Sequence, residues 1–100
     1  MNVRIPQITD IGKAIELYYA RIELSNEDIK ALFGAISTGR ILRLKNLAKE
    51  RMLEEDVPYW NALHVNTKTA YEAWGLDIKD LEIRYAKLRK LGMLNNPQTT

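Results

Sequence analysis

Residues Ser25–Leu53, SNEDIKALFGAISTGRILRLKNLAKERML, hold two helix-forming stretches parted by a glycine, and this layout leaves the chain few folds to choose from. Ser25 suits an N-cap, because its hydroxyl can accept from a free amide of the first turn. Asp28 stands where a carboxylate completes a capping box and favours the helix dipole. Ile29, Leu32 and Phe33 recur at helical spacing and predict one apolar face. Gly34 is expected to end that helix, since glycine takes a positive φ without strain. Ser37 or Thr38 would cap the next helix. Ile41, Leu44 and Ala48 then give it an apolar stripe at i, i+3, i+7.

Phe33, Gly34, Ile36, Ile41 and Leu44 follow a pattern of apolar residue, glycine turn, apolar residue, then an apolar stripe in the second helix. On these residues the chain resembles the helix-turn-helix superfamily of DNA-binding domains. Ala35 and Ile36 both stand where the common turn has one residue, so this turn is about one residue longer. The resemblance implies that helix 38–53 is a recognition helix whose N-terminal half faces the major groove of duplex DNA.

Charge along that helix points the same way. Between Thr38 and Leu53, five basic residues (Arg40, Arg43, Lys45, Lys49 and Arg51) stand against one acid, Glu50. A cation near a helix N-terminus is unfavourable by about 0.3–1 kcal/mol, yet Arg40 lies in the first turn and Arg43 one turn further on. Bidentate contact with guanine or phosphate would offset that cost. On a helical wheel Gly39, Arg43, Asn46 and Glu50 share the most polar face, which singles out Arg43 and Asn46 for base edges. The expected DNA-contacting set is Thr38, Arg40, Arg43, Lys45, Asn46 and Lys49. Arg84, Lys87 and Lys90 of a later helix are expected to touch phosphates. A different reading starts from Leu42 and Leu53, which lie nearly opposite Leu44 and Ala48. It buries the helix on two sides and leaves its basic residues as snorkelling, solvated side chains.

Composition narrows the chemistry. The 100 residues suit one domain, and a hydrophobic content of 46% suits a globular core. With no cysteine there is no disulfide, thiolate metal site or catalytic thiol. His64, the one histidine, sits between Leu63 and Val65 and reads as a packed or half-exposed side chain. Ser25 and Ser37 are accounted for as caps. Glu54, Glu55 and Asp56 lack the spaced ligands and central glycine of a calcium loop. Neither a Walker A sequence nor a G-x-G-x-x-G fingerprint is present. No enzyme, cofactor or metal is therefore expected. The apolar runs fall far short of the roughly 20 residues of a membrane span. The segment MNVRIPQITD lacks the apolar core of a secretory signal, so a cytoplasmic protein without membrane contact is expected. A net charge of +2 permits a nucleic-acid partner without demanding one.

The remaining stretches also read as helices. Met1–Ile8 looks extended around Pro6. Thr9 or Asp10 caps a first helix, whose stripe of Ile11, Ile15, Tyr18 and Ile22 runs to about Glu23. After Glu54–Asp56, Pro58 with Tyr59, Trp60 and Leu63 suggests a short helical turn or two. Asn66 or Thr67 caps a helix with Ala70, Tyr71 and Trp74 inward, closed by Gly75. Asp77 caps the last helix, with Asp80 as its capping-box acid. Its stripe is Ile78, Leu81, Tyr85 and Leu88, and it stops near Gly92. Asn95–Thr100 reads as a flexible tail.

Displaced by 41 residues, the chain aligns with itself. Tyr18 meets Tyr59, Gly34 meets Gly75, Arg43 meets Arg84 and Leu47 meets Leu88. Lys49 meets Lys90, Met52 meets Met93 and Leu53 meets Leu94. Similar residues join them, including Leu24 with Val65 and Phe33 with Trp74. Ile36 opposite Asp77 and Ile41 opposite Glu82 break the match until a gap is placed after Gly34. The expected fold is an all-α compact bundle of about five to six helices. It would hold two related helix-turn-helix-like units, 9–55 and 57–94.

Two functions lead among those compatible with these observations, with structured-RNA binding behind them. The first is a small DNA-binding protein, a regulator or an accessory factor of mobile or phage DNA. The second is a non-enzymatic interaction or homodimerising module, with Leu42, Trp60, Trp74 and Met93 at an interface.

Overall fold

The computed structural model of the protein describes residues 5–58 and 60–92. These residues form helices α1 (Ile11–Ala20), α2 (Asn26–Phe33), α3 (Thr38–Glu54), α4 (Thr67–Ala73) and α5 (Ile78–Lys90). Two strands of two residues each, β1 (Glu23–Leu24) and β2 (Val65–Asn66), complete the described elements. The protein is thus mostly helical, with a very small antiparallel sheet. No helix among the described residues is long and apolar enough to cross a membrane.

Each helix begins at a short polar side chain that accepts from a first-turn amide. Asp10, Ser25, Ser37, Asn66 and Asp77 fill these places. Ser25 and Asp28 form a reciprocal capping box, so two otherwise orphaned donors are satisfied together. The carboxylate of Asp80 has another partner: it pairs with Arg84 at 2.9 Å. Gly34 ends α2 at φ 83 and ψ −162, a region open essentially to glycine alone. Asp56 ends α3 with φ 57. There the Val57 amide donates back to the Met52 carbonyl at 2.8 Å, so the acidic break doubles as a helix stop.

The sheet joins the starts of two helices. Glu23 lies opposite Asn66 and Leu24 opposite Val65. The Thr67 amide adds a bond to the Ile22 carbonyl at 2.9 Å. Ser25 follows β1 directly and Asn66 ends β2, so this bridge ties together the residues that cap α2 and α4. Two expectations are corrected here. The described residues after Pro58 form no helix; they turn and lead into β2. The first helix stops at Ala20, which puts Ile22 outside it and 61% exposed. The enclosed residues of α1 are Ala14 and Leu17.

The core lies where these elements meet. Ile29, Leu32 and Phe33 of α2 pack with Ile41, Leu44, Ala48 and Met52 of α3. Leu24, Val65, Ala70, Tyr71, Trp74 and Leu81 close it. Two polar tips find buried acceptors. The Tyr71 hydroxyl donates to the Ala14 carbonyl at 2.6 Å, tying α4 to α1. Its phenol is held well above the ordinary tyrosine range, chiefly by burial. The Trp74 indole donates to the Leu44 carbonyl at 2.8 Å, tying α4 to the middle of α3. Trp74 is therefore a core residue, 3% exposed, and not the surface aromatic that an interface would use. Met93 and the tail lie outside the described residues. Helix α3 packs chiefly on α4, and α5 on α1.

Candidate nucleic-acid interface

One side of α3 is buried and the other is open. Ile41, Leu44, Lys45, Ala48 and Met52 form the inner side. Thr38, Gly39, Arg40, Leu42, Arg43, Asn46, Glu50 and Leu53 are exposed. Leu42 is 55% and Leu53 82% exposed, so nothing in the described chain covers a second apolar side. The basic residues are not snorkelling from a helix buried twice over.

The first half of the open side carries its positive charge. The backbone amide of Arg40 donates to the Ser37 hydroxyl at 3.2 Å, so Arg40 stands in the first turn of a well-started helix. The side chains of Arg40 and Arg43 make no hydrogen bond or ion pair among the described residues. No acid occupies the first turn of α3. The dipole therefore disfavours Arg40, and no acid in its own turn offsets it. The far end differs: Glu50, Glu54, Glu55 and Asp56 are all exposed there. A polyanion would meet attraction over the first two turns and repulsion beyond them.

Lys45 does not join this face, contrary to its place in the expected set. Its side chain is 8% exposed, and its ammonium donates to the Asn26 side-chain oxygen at 3.0 Å. Burial, with a smaller push from the Lys49 charge, lowers its pKa below the ordinary lysine value. It fastens α3 to the start of α2. The signal was present in the sequence: positions 41, 45, 48 and 52 share one helical stripe. Lys49 is half-buried at the edge of the open face.

Gly39 is unusual among the five glycines. Gly34, Gly75 and Gly92 have positive φ. At Gly12 an added Cβ would meet the Tyr85 ring at 3.1 Å. Gly39 is helical, and a Cβ there would meet only the Ser37 hydroxyl oxygen at 4.0 Å. Neither backbone nor packing asks for glycine, which costs a helix up to about 1 kcal/mol relative to alanine.

Of the residues expected to touch phosphates on α5, Arg84 has another partner. Arg84 is held by Asp80, and Arg89 stands 6.0 Å from the centre of the Tyr85 ring. Lys87 and Lys90 are exposed. His64 is half-exposed, with Nδ1 3.5 Å from an oxygen of Glu23, whose carboxylate also accepts from the Trp60 amide at 2.7 Å. That contact fastens the 57–64 segment to β1. No protein-family model matches the chain, nor does any curated protein or solved structure.

Proposed function

We propose that the protein binds duplex DNA as a small helix-turn-helix-type factor, with α2 and α3 as the motif and the first half of α3 as the reading helix. The observation that carries this reading is the pair Arg40 and Arg43, exposed and unengaged, the first of them where the helix dipole disfavours a cation. Other arginines of the described chain have company. Arg21 pairs with Asp28 at 3.4 Å, Arg51 with Glu55 at 2.8 Å and Arg84 with Asp80 at 2.9 Å. Arg43 and Asn46, one turn apart on the open face, are the types that read guanine and adenine in the major groove. Thr38, Arg40 and Lys49 flank them as phosphate contacts, with Lys87 and Lys90 of α5 as more distant ones. The role is that of a regulator or an accessory factor of mobile DNA, acting by binding alone.

The second unit is a relative of the first in this reading. Leu24 and its 41-residue counterpart Val65 face each other across the strand pair. The rings of Phe33 and its counterpart Trp74 meet edge-on at 5.5 Å. Contacts between counterparts are what two related units make around a local two-fold axis. Ala35 accounts for the extra residue of the first turn, so that Ile36 matches Leu76 and Ile41 matches Leu81, and the register returns to 41 residues before Arg43 meets Arg84.

The test is a fluorescence-anisotropy titration of a mixed-sequence duplex at low and moderate salt. Salt-sensitive binding supports the reading, since released counterions give log affinity a slope against log salt. No binding at tens of micromolar by folded protein sinks it. The second reading, an interaction or homodimerising module, draws on Leu53 at 82%, Trp60 at 76% and Leu63 at 73% exposure. It requires a concentration-dependent dimer in the ultracentrifuge, which Leu42→Glu or Trp60→Glu dissolves while the fold persists.

A further inference from the structure

We infer that Gly39 is the point of closest approach between α3 and the floor of the major groove, so that its missing side chain sets the depth at which Arg43 and Asn46 meet the bases. This rests on the DNA-binding reading above. Gly39, Arg43 and Asn46 follow at i, i+4 and i+7, which places them on one face of the helix. The structure leaves Gly39 without an internal reason to be glycine, as its Cβ position opens onto solvent. An α-helix with its side chains is about 10–12 Å across, and the major groove about 12 Å wide. The clearance is small, so a side chain at the leading edge holds the helix out. Arg43 and Asn46 must come within hydrogen-bond distance of base edges, where a shift of one ångström breaks the contact. Arg40, about 100° further round the helix, reaches the backbone of the duplex instead. Gly39 is thus a positioning residue for specific recognition and has no part in non-specific attraction to phosphates.

The experiment compares wild type, Gly39→Ala and Gly39→Gln in the full chain. The specific probe is a duplex that wild-type protein enriches from a randomised pool; the non-specific probe is an arbitrary mixed-sequence duplex. Gly39→Ala is expected to melt at or above the wild-type temperature, because alanine favours the helix. It is expected to bind the enriched duplex about tenfold more weakly, as displacement of a bidentate base contact implies. Gly39→Gln should lose more. Both should bind the arbitrary duplex as wild type does. Binding of the enriched duplex within about twofold of wild type by both variants overturns the inference. So does a lowered melting temperature for Gly39→Ala, which would give the glycine a structural role. If wild type enriches no sequence and binds neither probe, the DNA-binding reading itself falls and this inference with it. If Gly39→Gln instead dissolves a dimer without touching DNA affinity, the face belongs to a protein partner and the inference is wrong.

Discussion

Helices α3 and α5 carry similar amounts of positive charge but arrange it in opposite ways. Helix α5 begins with Asp77 and Asp80 and ends with Lys87, Arg89 and Lys90, the order its own dipole favours. Asp80 takes up Arg84, and the Tyr85 ring stands near Arg89. Nothing about that helix calls for a ligand. Helix α3 has no acid in its first turn and puts two unengaged arginines there and one turn on. The anchoring differs too. Helix α3 has five buried residues and receives the Trp74 indole on its backbone, whereas α5 buries only Leu81. A helix that is firmly seated and electrostatically incomplete is suited to reading a surface. One whose charges follow its own dipole is suited to a supporting role.

The difference can be tested from its largest consequence downwards. Leu44→Ala, at the seat of α3, is expected to lower unfolding free energy by about 2–5 kcal/mol. Leu81→Ala should cost less, because α5 is more exposed around it. Urea denaturation of the two variants compares the anchoring directly, and equal losses would break the contrast. Arg43→Ala is expected to cost about 1–3 kcal/mol of affinity for a preferred duplex, read by anisotropy, and to relax preference at one base pair. Lys87→Ala should change affinity only a few-fold on every sequence and lower the salt slope by about 1. If Lys87→Ala proves as costly as Arg43→Ala, α5 shares the reading role.

Lys45 sharpens the contrast within α3 itself. Lys45→Met is expected to leave DNA affinity within about twofold of wild type, because the lost charge faces Asn26 and not the open side. The folded protein holds the Lys45 pKa below the ordinary 10.5. Between the two values the unfolded chain keeps a proton that the folded chain has released. Stability therefore rises with pH across that window. Wild type should gain stability in urea melts as pH rises toward the ordinary lysine value of 10.5, and Lys45→Met should lose that part of the rise. A strong fall in DNA binding by Lys45→Met would put the ammonium on the wrong side of the helix.

Much of this was legible in the sequence, and the reasons differ by residue. The caps at Ser25, Asn66 and Asp77 and the stop at Gly34 could be read locally, because each depends on one side chain meeting its own helix end. The stripe Ile41–Leu44–Ala48 could be read from its period. The strands β1 and β2 could not, since two residues carry no periodicity and their pairing joins segments about 40 residues apart. The burial of Trp74 depends on the Leu44 carbonyl, an acceptor no sequence pattern displays. Lys45 shares its charge with the arginines but its stripe position with Ile41, Ala48 and Met52, and the position decides where it points. Nothing in the sequence sets Gly39 apart from the other glycines, because an open Cβ position is a property of the fold.

The central claim is that α3, and not α5, reads the bases of DNA. The most direct measurement is an amide chemical-shift titration of the labelled protein with a duplex it has enriched. The largest perturbations should fall on residues 38–46, with small, salt-sensitive changes along 84–90. Largest changes in α5 or in the 57–64 segment, or none anywhere, would contradict it.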